Sequence, residues 1–465
     1  METDSQVPGW ARSIRKGDGP VYLAIADAIN AEIAAGRLAA GTRLPAQRAL
    51  AELLGLDFTT VSRAYAEVQR RGLTEGRVGQ GTYVRLARAA GVRTVGKEIV
   101  DMGMNQPPLF DDADLTAHMW GGIAELERSA GQSLLLRYQE TAGTGADRAI
   151  GAQWLSRRLP AISADHVILC PGAQGALHAV TSVLAAPGDA ICAESLTYPG
   201  FRSLAAHLRI RLLEVPMDAQ GIDPEAFERI CRSEKPKALY CVPTLHNPTT
   251  ITLSLPRRKA LIAVARQFGV PIIEDDAYGA LPRAPLPPLA ELAPEIVFHI
   301  AGLAKCLSPA LRIAYLAAPD GRSASRITAA LRASALMVSP LTAIIASRWI
   351  ESGVADEVLT AIREETRARQ AIAADLLPAD AVSTNVEGFH LWLSLSEPWT
   401  RGEFVERVRS SGVGVVASDA FALGHAPQAV RLGLGAAATR DELRRGLHIV
   451  ADVLDQSPAM SSMVV

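Results

Sequence analysis

Four-residue spacing sets the first apolar pattern of the chain. Val21, Ile25, Ile29 and Ile33 share one helical face, and Gly36 is a suitable stop. A turn at Gly41-Thr-Arg-Leu-Pro45 follows, with Pro45 suited to a first helical turn. Leu50, Leu53 and Leu54 mark a second, short helix that ends at Gly55. Asp57 is placed to cap a third helix, whose inner face is Val61, Tyr65 and Val68 and whose end is Gly72. Leu73 to Val84 then reads as two short strands joined by glycines that tolerate positive φ. Three helices and a β-wing predict a winged helix-turn-helix over residues 1–85.

Residues 86–98 lack strong periodicity and read as a linker. From 99 to 465, strand-like runs alternate with helical patterns: His166–Cys170, Ala190–Ala193, Ala238–Val242, Val270–Glu274 and Ile296–Ile300. Such alternation predicts an α/β domain, a largely parallel sheet covered by helices. A smaller α+β part is expected from about residue 340, with strand-like Phe389–Leu393 and Val413–Val416.

A chain of 465 residues exceeds a single compact core, so several domains are required in any case. Net charge is −2, which gives no global sign of nucleic-acid binding. The distribution is more informative: residues 1–88 hold 12 Lys and Arg against 9 Asp and Glu, a mildly basic head on an acidic body. The five cysteines show no metal-ligand spacing, and no metal site is expected. The acidic, polar opening is unlike a signal peptide, and no apolar run reaches membrane-spanning length, so a cytoplasmic protein without membrane contact is expected.

With its apolar face inward, the third helix leaves Phe58, Thr59, Thr60, Ser62, Arg63 and Arg70 on its outer or leading face. Thr and Arg reach base edges and phosphates in a major groove. Arg43 and Arg48 flank the second helix, and Gly79-Gln-Gly-Thr82 forms a wing tip whose amides can approach a duplex. Winged helices also serve as protein-interaction modules, and the pattern alone leaves both uses open.

In the body, polar groups follow buried runs. Asn247 lies in Pro243-Thr-Leu-His-Asn-Pro-Thr249, Asp275 and Tyr278 in Glu274-Asp-Asp-Ala-Tyr278, and Lys305 comes after Ile296–Ile300. Open α/β sheets collect ligand groups at such strand ends. Cys170-Pro-Gly-Ala-Gln-Gly175 joins a strand to a helix, where amides and the helix dipole meet an anion. Arg312 either completes that anion cup or pairs with a carboxylate. An amine, a carboxylate, donors for a phenolic oxygen and a phosphate cup are the requirements of pyridoxal 5'-phosphate chemistry.

The blocks Leu44-Pro-Ala-Gln-Arg-Ala-Leu-Ala51, Leu54-Gly-Leu-Asp-Phe-Thr-Thr-Val61 and Arg71-Gly-Leu with Gly79-Gln-Gly-Thr-Tyr-Val84 resemble the GntR-family DNA-binding domain over roughly residues 10–85. The resemblance implies double-stranded DNA as a partner, with contacts from Arg43, Arg48, Thr59, Thr60, Arg63, Gln80 and Thr82. Residues 100–465 resemble class I aminotransferases of PLP fold type I. That implies pyridoxal phosphate held by Lys305 as an internal aldimine, with Asp275 on the pyridinium, Asn247 and Tyr278 on the ring oxygen, and Tyr198 stacked on the ring. It further implies a phosphate site at Gly172, Ala173, Gln174 and Arg312, with Tyr138 reaching the partner subunit's phosphate. Arg431, in Val430-Arg-Leu-Gly433, matches the arginine for a substrate α-carboxylate, although an internal ion pair is the alternative.

Two positions depart from the pattern. Ala304 and Gly302 stand where serines are usual, removing at least one hydroxyl donor to phosphate, and Glu387-Gly388 replaces a Gly-Gly pair. The order of the two domains resembles MocR/GabR-type regulators. This implies a homodimer with swapped heads that reads two half-sites and senses an amine or amino acid through an external aldimine. A functional aminotransferase with an accessory DNA-binding domain is the alternative.

Overall fold

The computed structural model describes residues 20–34, 37–38, 42–70, 73–77, 81–84, 99–129 and 131–456. It divides into two compact units, 1–95 and 96–465. Gly36, Gly41, Gly72, Gln80 and the linker 86–98 lie outside the described residues.

In the head, α1 (Val21–Ala34), α2 (Gln47–Leu54) and α3 (Phe58–Arg70) precede the antiparallel strands β1 (Thr74–Arg77) and β2 (Gly81–Val84). Ile25, Ile29, Leu50, Val61, Ala64, Tyr65 and Val68 meet in one core. Burying each large aliphatic side chain there contributes about 1.5–3 kcal/mol. Gly55 ends α2 in the left-handed region at φ 62°, its N–H reaching Ala51 and Glu52 carbonyls. The Asp57 carboxylate accepts the Thr59 N–H at 2.7 Å, capping α3 as expected. The Tyr65 hydroxyl donates to the Pro45 carbonyl at 2.7 Å, which ties α3 to the turn before α2. That turn also joins the wing, a contact the pattern does not suggest: Leu44 N–H donates to Thr82 O at 2.9 Å and Val84 N–H to Thr42 O at 2.8 Å.

The body's strands are β3 (Val100–Asp101), β4 (Val167–Cys170), β5 (Ala190–Glu194), β6 (Arg211–Val215), β7 (Met217–Asp218), β8 (Gly221–Ile222), β9 (Leu239–Cys241), β10 (Ile272–Asp275), β11 (Val297–Gly302), β12 (Ala314–Ala317), β13 (Val382–Thr384), β14 (His390–Ser394), β15 (Val413–Gly414), β16 (Val416–Ala417) and β17 (Ala429–Gly433). The main sheet runs β4-β12-β11-β10-β9-β5-β6. Only β12 is antiparallel to its neighbours. The five expected runs are all strands of this sheet. β6 and β12 are additions: β6 is an edge with exposed Arg211 and Glu214, and β12 is the buried run Ala314-Tyr-Leu-Ala317. The inner strands are buried throughout, as helices on both faces require.

A second core gathers around β14 and β17 in the antiparallel sheet β13-β14-β17-β16. It begins with Val100 and Met102, because β3 pairs with β15, and resumes at Ile372. The helix Pro340–Ser352 instead packs Ala343, Ala346, Trp349 and Ile350 into the large core. The smaller part therefore starts within the helix Val354–Leu376, later than residue 340, and borrows the chain's entry into the body.

Candidate functional site

Because β4, β5, β9, β10 and β11 run in one direction, their C-terminal ends open on one edge of the sheet. A cavity of about 660 Å³ lies there. Gly172, Ala173, Gln174, Tyr198, Asn247, Asp275, Tyr278, Lys305, Arg312 and Arg431 all line it, although they are scattered widely through the sequence. Tyr138 does not; it is 80 % exposed on the surface.

Asp275 and Asp276 are neighbours, and strand geometry sends them to opposite sides. Asp276 turns to Arg158, which donates from Nε at 3.1 Å. Asp275 faces the cavity side, where its Oδ2 accepts from the Tyr240 hydroxyl at 3.0 Å and its buried Oδ1 has no partner. Burial raises the Asp275 pKa to about 6, against the Tyr240 hydrogen bond. Burial, with Arg431 adding to it, lowers the Lys305 ammonium to about 8. A lysine so shifted holds a useful neutral fraction near pH 7. Burial also pushes the Tyr278 phenol upward, keeping it a neutral donor.

Gly172 takes φ +73°, and an added Cβ there would lie 3.4 Å from an Arg312 nitrogen, so the guanidinium sits directly on the first turn of the helix Gly172–Leu184. A Cβ at Gly302 would lie 3.3 Å from that of Ala173. A serine at 302 thus meets a neighbour that must yield, which accounts for the glycine. Tyr198 folds across Gly200, whose added Cβ would fall 2.3 Å from the phenol ring.

Arg431 projects from β17 and is 6 % exposed. It donates to Asn247 Oδ1 at 3.0 Å and to the Gly103 carbonyl, and its guanidinium lies 5.1 Å from the Phe421 ring centre. Among the described residues no carboxylate stands within ion-pair distance of it. Lys305 Nζ donates to the Asn105 carbonyl, and the Asn105 side-chain amide donates to the Tyr278 hydroxyl at 2.8 Å. Gly103, Asn105 and Tyr240 are absent from the residues expected of the site. Val100-Asp-Met-Gly-Met-Asn-Gln-Pro-Pro108 carries no periodicity, and Tyr240 hides inside an apolar strand. The one available signal is a polar Asn105 beside Pro107, in a stretch without an assigned element.

On the head, Thr59 is exposed at the start of α3, its hydroxyl donating to Asp57 at 2.5 Å, and Thr60 is half-buried. Arg63 is exposed with its guanidinium 4.7 Å from the Tyr22 ring centre. Arg48 lies 5.9 Å from the ring centre of exposed Phe58. Arg43 reaches the wing, where a Cβ on Gly81 would touch its Nε at 3.0 Å, beside half-buried Thr82. Thus Arg43 and the wing residue Thr82 are brought together, and Arg48 lies by Phe58, the residue before Thr59 at the leading end of α3. Gln80 lies outside the described residues.

The family description "Bacterial regulatory proteins, gntR family" matches residues 21–84, and "Aminotransferase class I and II" matches residues 97–450. The chain is 31% identical over 459 residues to YdeF of Bacillus subtilis (strain 168), described as an uncharacterized HTH-type transcriptional regulator, covering 96% of this chain and 97% of that one. The chain belongs to the MocR-type, GntR-headed transcriptional regulators. Another relative, the vitamin B6 salvage pathway transcriptional repressor PtsJ of Salmonella typhimurium, is 26% identical over 81% of this chain and 86% of its own length. Among solved structures, the α-aminoadipate aminotransferase LysN of Thermus thermophilus matches with TM-score 0.69 and 25% identity, over 77% of this chain and 92% of that one. That structure holds a phosphopyridoxyl-leucine.

Pyridoxal 5'-phosphate is the cofactor of this family's aminotransferase-type domain, and the residues present fit it. The orphaned buried Oδ1 of Asp275 is a ready acceptor for a protonated ring nitrogen. The helix start at Gly172 with Arg312 upon it is a ready anion site. Among the described residues no helix is long and apolar enough to cross a membrane.

Proposed function

We propose that this regulator senses an amino acid at the Lys305 site and alters the DNA binding of its head in response. When bound, pyridoxal phosphate supplies an aldehyde carbon that exchanges one amine for another. Lys305 is the resident amine, Asp275 steadies the ring nitrogen, Asn247 and Tyr278 hold the ring oxygen, and Tyr198 covers the ring face. Gly172, Ala173, Gln174 and Arg312 bind phosphate, and exposed Tyr138 is left for the phosphate of a partner subunit in a homodimer.

One observation carries the reading. Lys305 and Arg431 both donate to backbone carbonyls of one short stretch, Gly103 and Asn105, the first part of the body after the linker. An amino-acid effector would address both groups at once, its amine competing with Lys305 for the bound cofactor and its carboxylate drawing Arg431. Each exchange changes a tether on that stretch. Glycines make the stretch sensitive to β17: a Cβ at Gly433 would lie 2.6 Å from the Met104 carbonyl, and one at Gly435 1.8 Å from that of Gln106. Coupling of this kind is a free-energy difference between two states of the body, each favoured by a different ligand. On the head, Arg43, Arg48, Thr59, Thr60, Arg63, Gln80 and Thr82 are the DNA contacts of the proposal, two heads reading two half-sites.

The test is a screen of amines and amino acids by visible absorbance, repeated with operator DNA present. An amino acid that shifts the spectrum and changes operator affinity several-fold supports the reading. Steady turnover of amino acid with keto acid, together with no site-specific DNA binding, overturns it in favour of a working aminotransferase.

A further inference from the structure

Asn105 stands at the centre of the cofactor site without belonging to any helix or strand. It is 4 % exposed. The stretch that carries it is held from both directions: Met102 N–H donates to Gly414 O at 2.8 Å, and Gly433 N–H donates to Met102 O at 2.7 Å. Its own carbonyl accepts from Lys305, and its side-chain Nδ2 donates to the Tyr278 hydroxyl at 2.8 Å. Tyr278 is equally fixed, with its ring edge-on to Phe389 at 5.9 Å and tilted on His390 at 5.5 Å.

We propose that Asn105 is a positioning residue of the cofactor site, acting through Tyr278. The inference rests on the reading of Tyr278 as a donor to the cofactor's ring oxygen. A phenol offers one hydrogen and accepts others on its oxygen. Asn105 Nδ2 occupies the accepting side, its own Oδ1 is buried without a partner, and among the described residues no group receives the Tyr278 hydrogen. The hydrogen is therefore left for the cavity that Tyr278 lines, where on this reading the ring oxygen of a bound cofactor would lie. A chain from amide N–H to phenol O–H to ring oxygen is cooperative, each bond strengthening the next by about 10–30%. Asn105 thus makes Tyr278 a stronger donor and favours the deprotonated ring oxygen. A merely structural Asn105, present to satisfy a buried hydroxyl, has no such effect on the cofactor's protonation.

The experiment follows the pH midpoint of the holoprotein's visible absorbance transition. Tyr278→Phe is expected to raise the midpoint by about 1–2 pH units, since it removes a donor to the charged form. Asn105→Leu is expected to raise it by about half a unit through the lost cooperativity. Asn105→Asp, nearly the same shape, places an acceptor where the donor was. It competes for the Tyr278 hydrogen and raises the midpoint by more than Asn105→Leu does. The deciding arm is the double variant: Asn105→Leu must add nothing once Tyr278 is Phe. An unchanged midpoint in both Asn105 variants, or an equal Asn105→Leu shift with and without Tyr278, overturns the proposal while leaving Tyr278 in place. An unmoved midpoint in Tyr278→Phe removes the Tyr278 reading and this inference with it. Should Asn105→Leu fail to retain cofactor, the uncharged Asn105→Ala in both backgrounds takes its place with the same outcomes.

Discussion

Capture of pyridoxal phosphate by the apoprotein should follow the protonation of Lys305. Only the neutral amine attacks an aldehyde. Burial, then Arg431, lower the Lys305 pKa from 10.5 to about 8, with Arg312 adding to the effect and Asp275 opposing it. Each pKa unit is a factor of ten in neutral amine, so at pH 7 the site holds on the order of 100-fold more reactive lysine than an exposed one. Stopped-flow absorbance of apoprotein mixed with excess pyridoxal phosphate should give a rate that climbs with pH and levels off above about 8. Arg431→Leu removes a positive neighbour and should move that inflection upward by about half to one unit. The folded lysine loses its proton before the unfolded one, so the same shift makes the apoprotein more stable as pH rises from about 8 toward 10.5. An inflection near 10.5 in the wild type, or one indifferent to Arg431, would refute the argument.

Asp275→Asn replaces the charged acceptor whose Oδ1 lacks a partner, and should weaken cofactor binding by about 10- to 100-fold, the equivalent of 1.5–3 kcal/mol for a hydrogen bond to a charged group; equilibrium dialysis reads it. Arg258 is fully buried and donates to the carbonyls of Leu253, Pro243 and Pro287 and to Thr244 Oγ1, so Arg258→Ala should cost the body about 3–5 kcal/mol in urea unfolding. A loss under about 1 kcal/mol would show that water replaces it. Arg63→Ala with Thr60→Ala should weaken operator binding in a gel shift and leave the visible spectrum intact; unchanged affinity removes α3 as the reading helix.

The two-domain order and the parallel strands with their terminal polar groups were legible in the amino-acid sequence. Periodicity reports which face of an element is buried, and motifs such as Glu274-Asp-Asp-Ala-Tyr278 carry their chemistry within a few residues. Local capping was legible too, since Gly55 and Asp57 act on their own helices. The antiparallel β12 and the edge β6 were not: exposed Arg211 and Glu214 break the apolar run of β6, and β12 finds its second neighbour in β4, far back in the chain.

What only the tertiary structure decided is the identity of long-range partners. Which aspartate of the pair faces the site follows from the strand's pleat and from Arg158, 118 positions away from Asp276. Tyr240 becomes the orienting donor for Asp275 because β9 lies beside β10. Asn105 has no local signature beyond being a polar residue two positions before Pro107. It gains its place because β3 enters the smaller core beside β15 and because Gly433 and Gly435 allow the backbone of residues 104–106 to pass close to β17. Sequence reports what each residue can do. The fold decides which of those capacities meet, since hydrogen bonds and charges act only over a few ångströms.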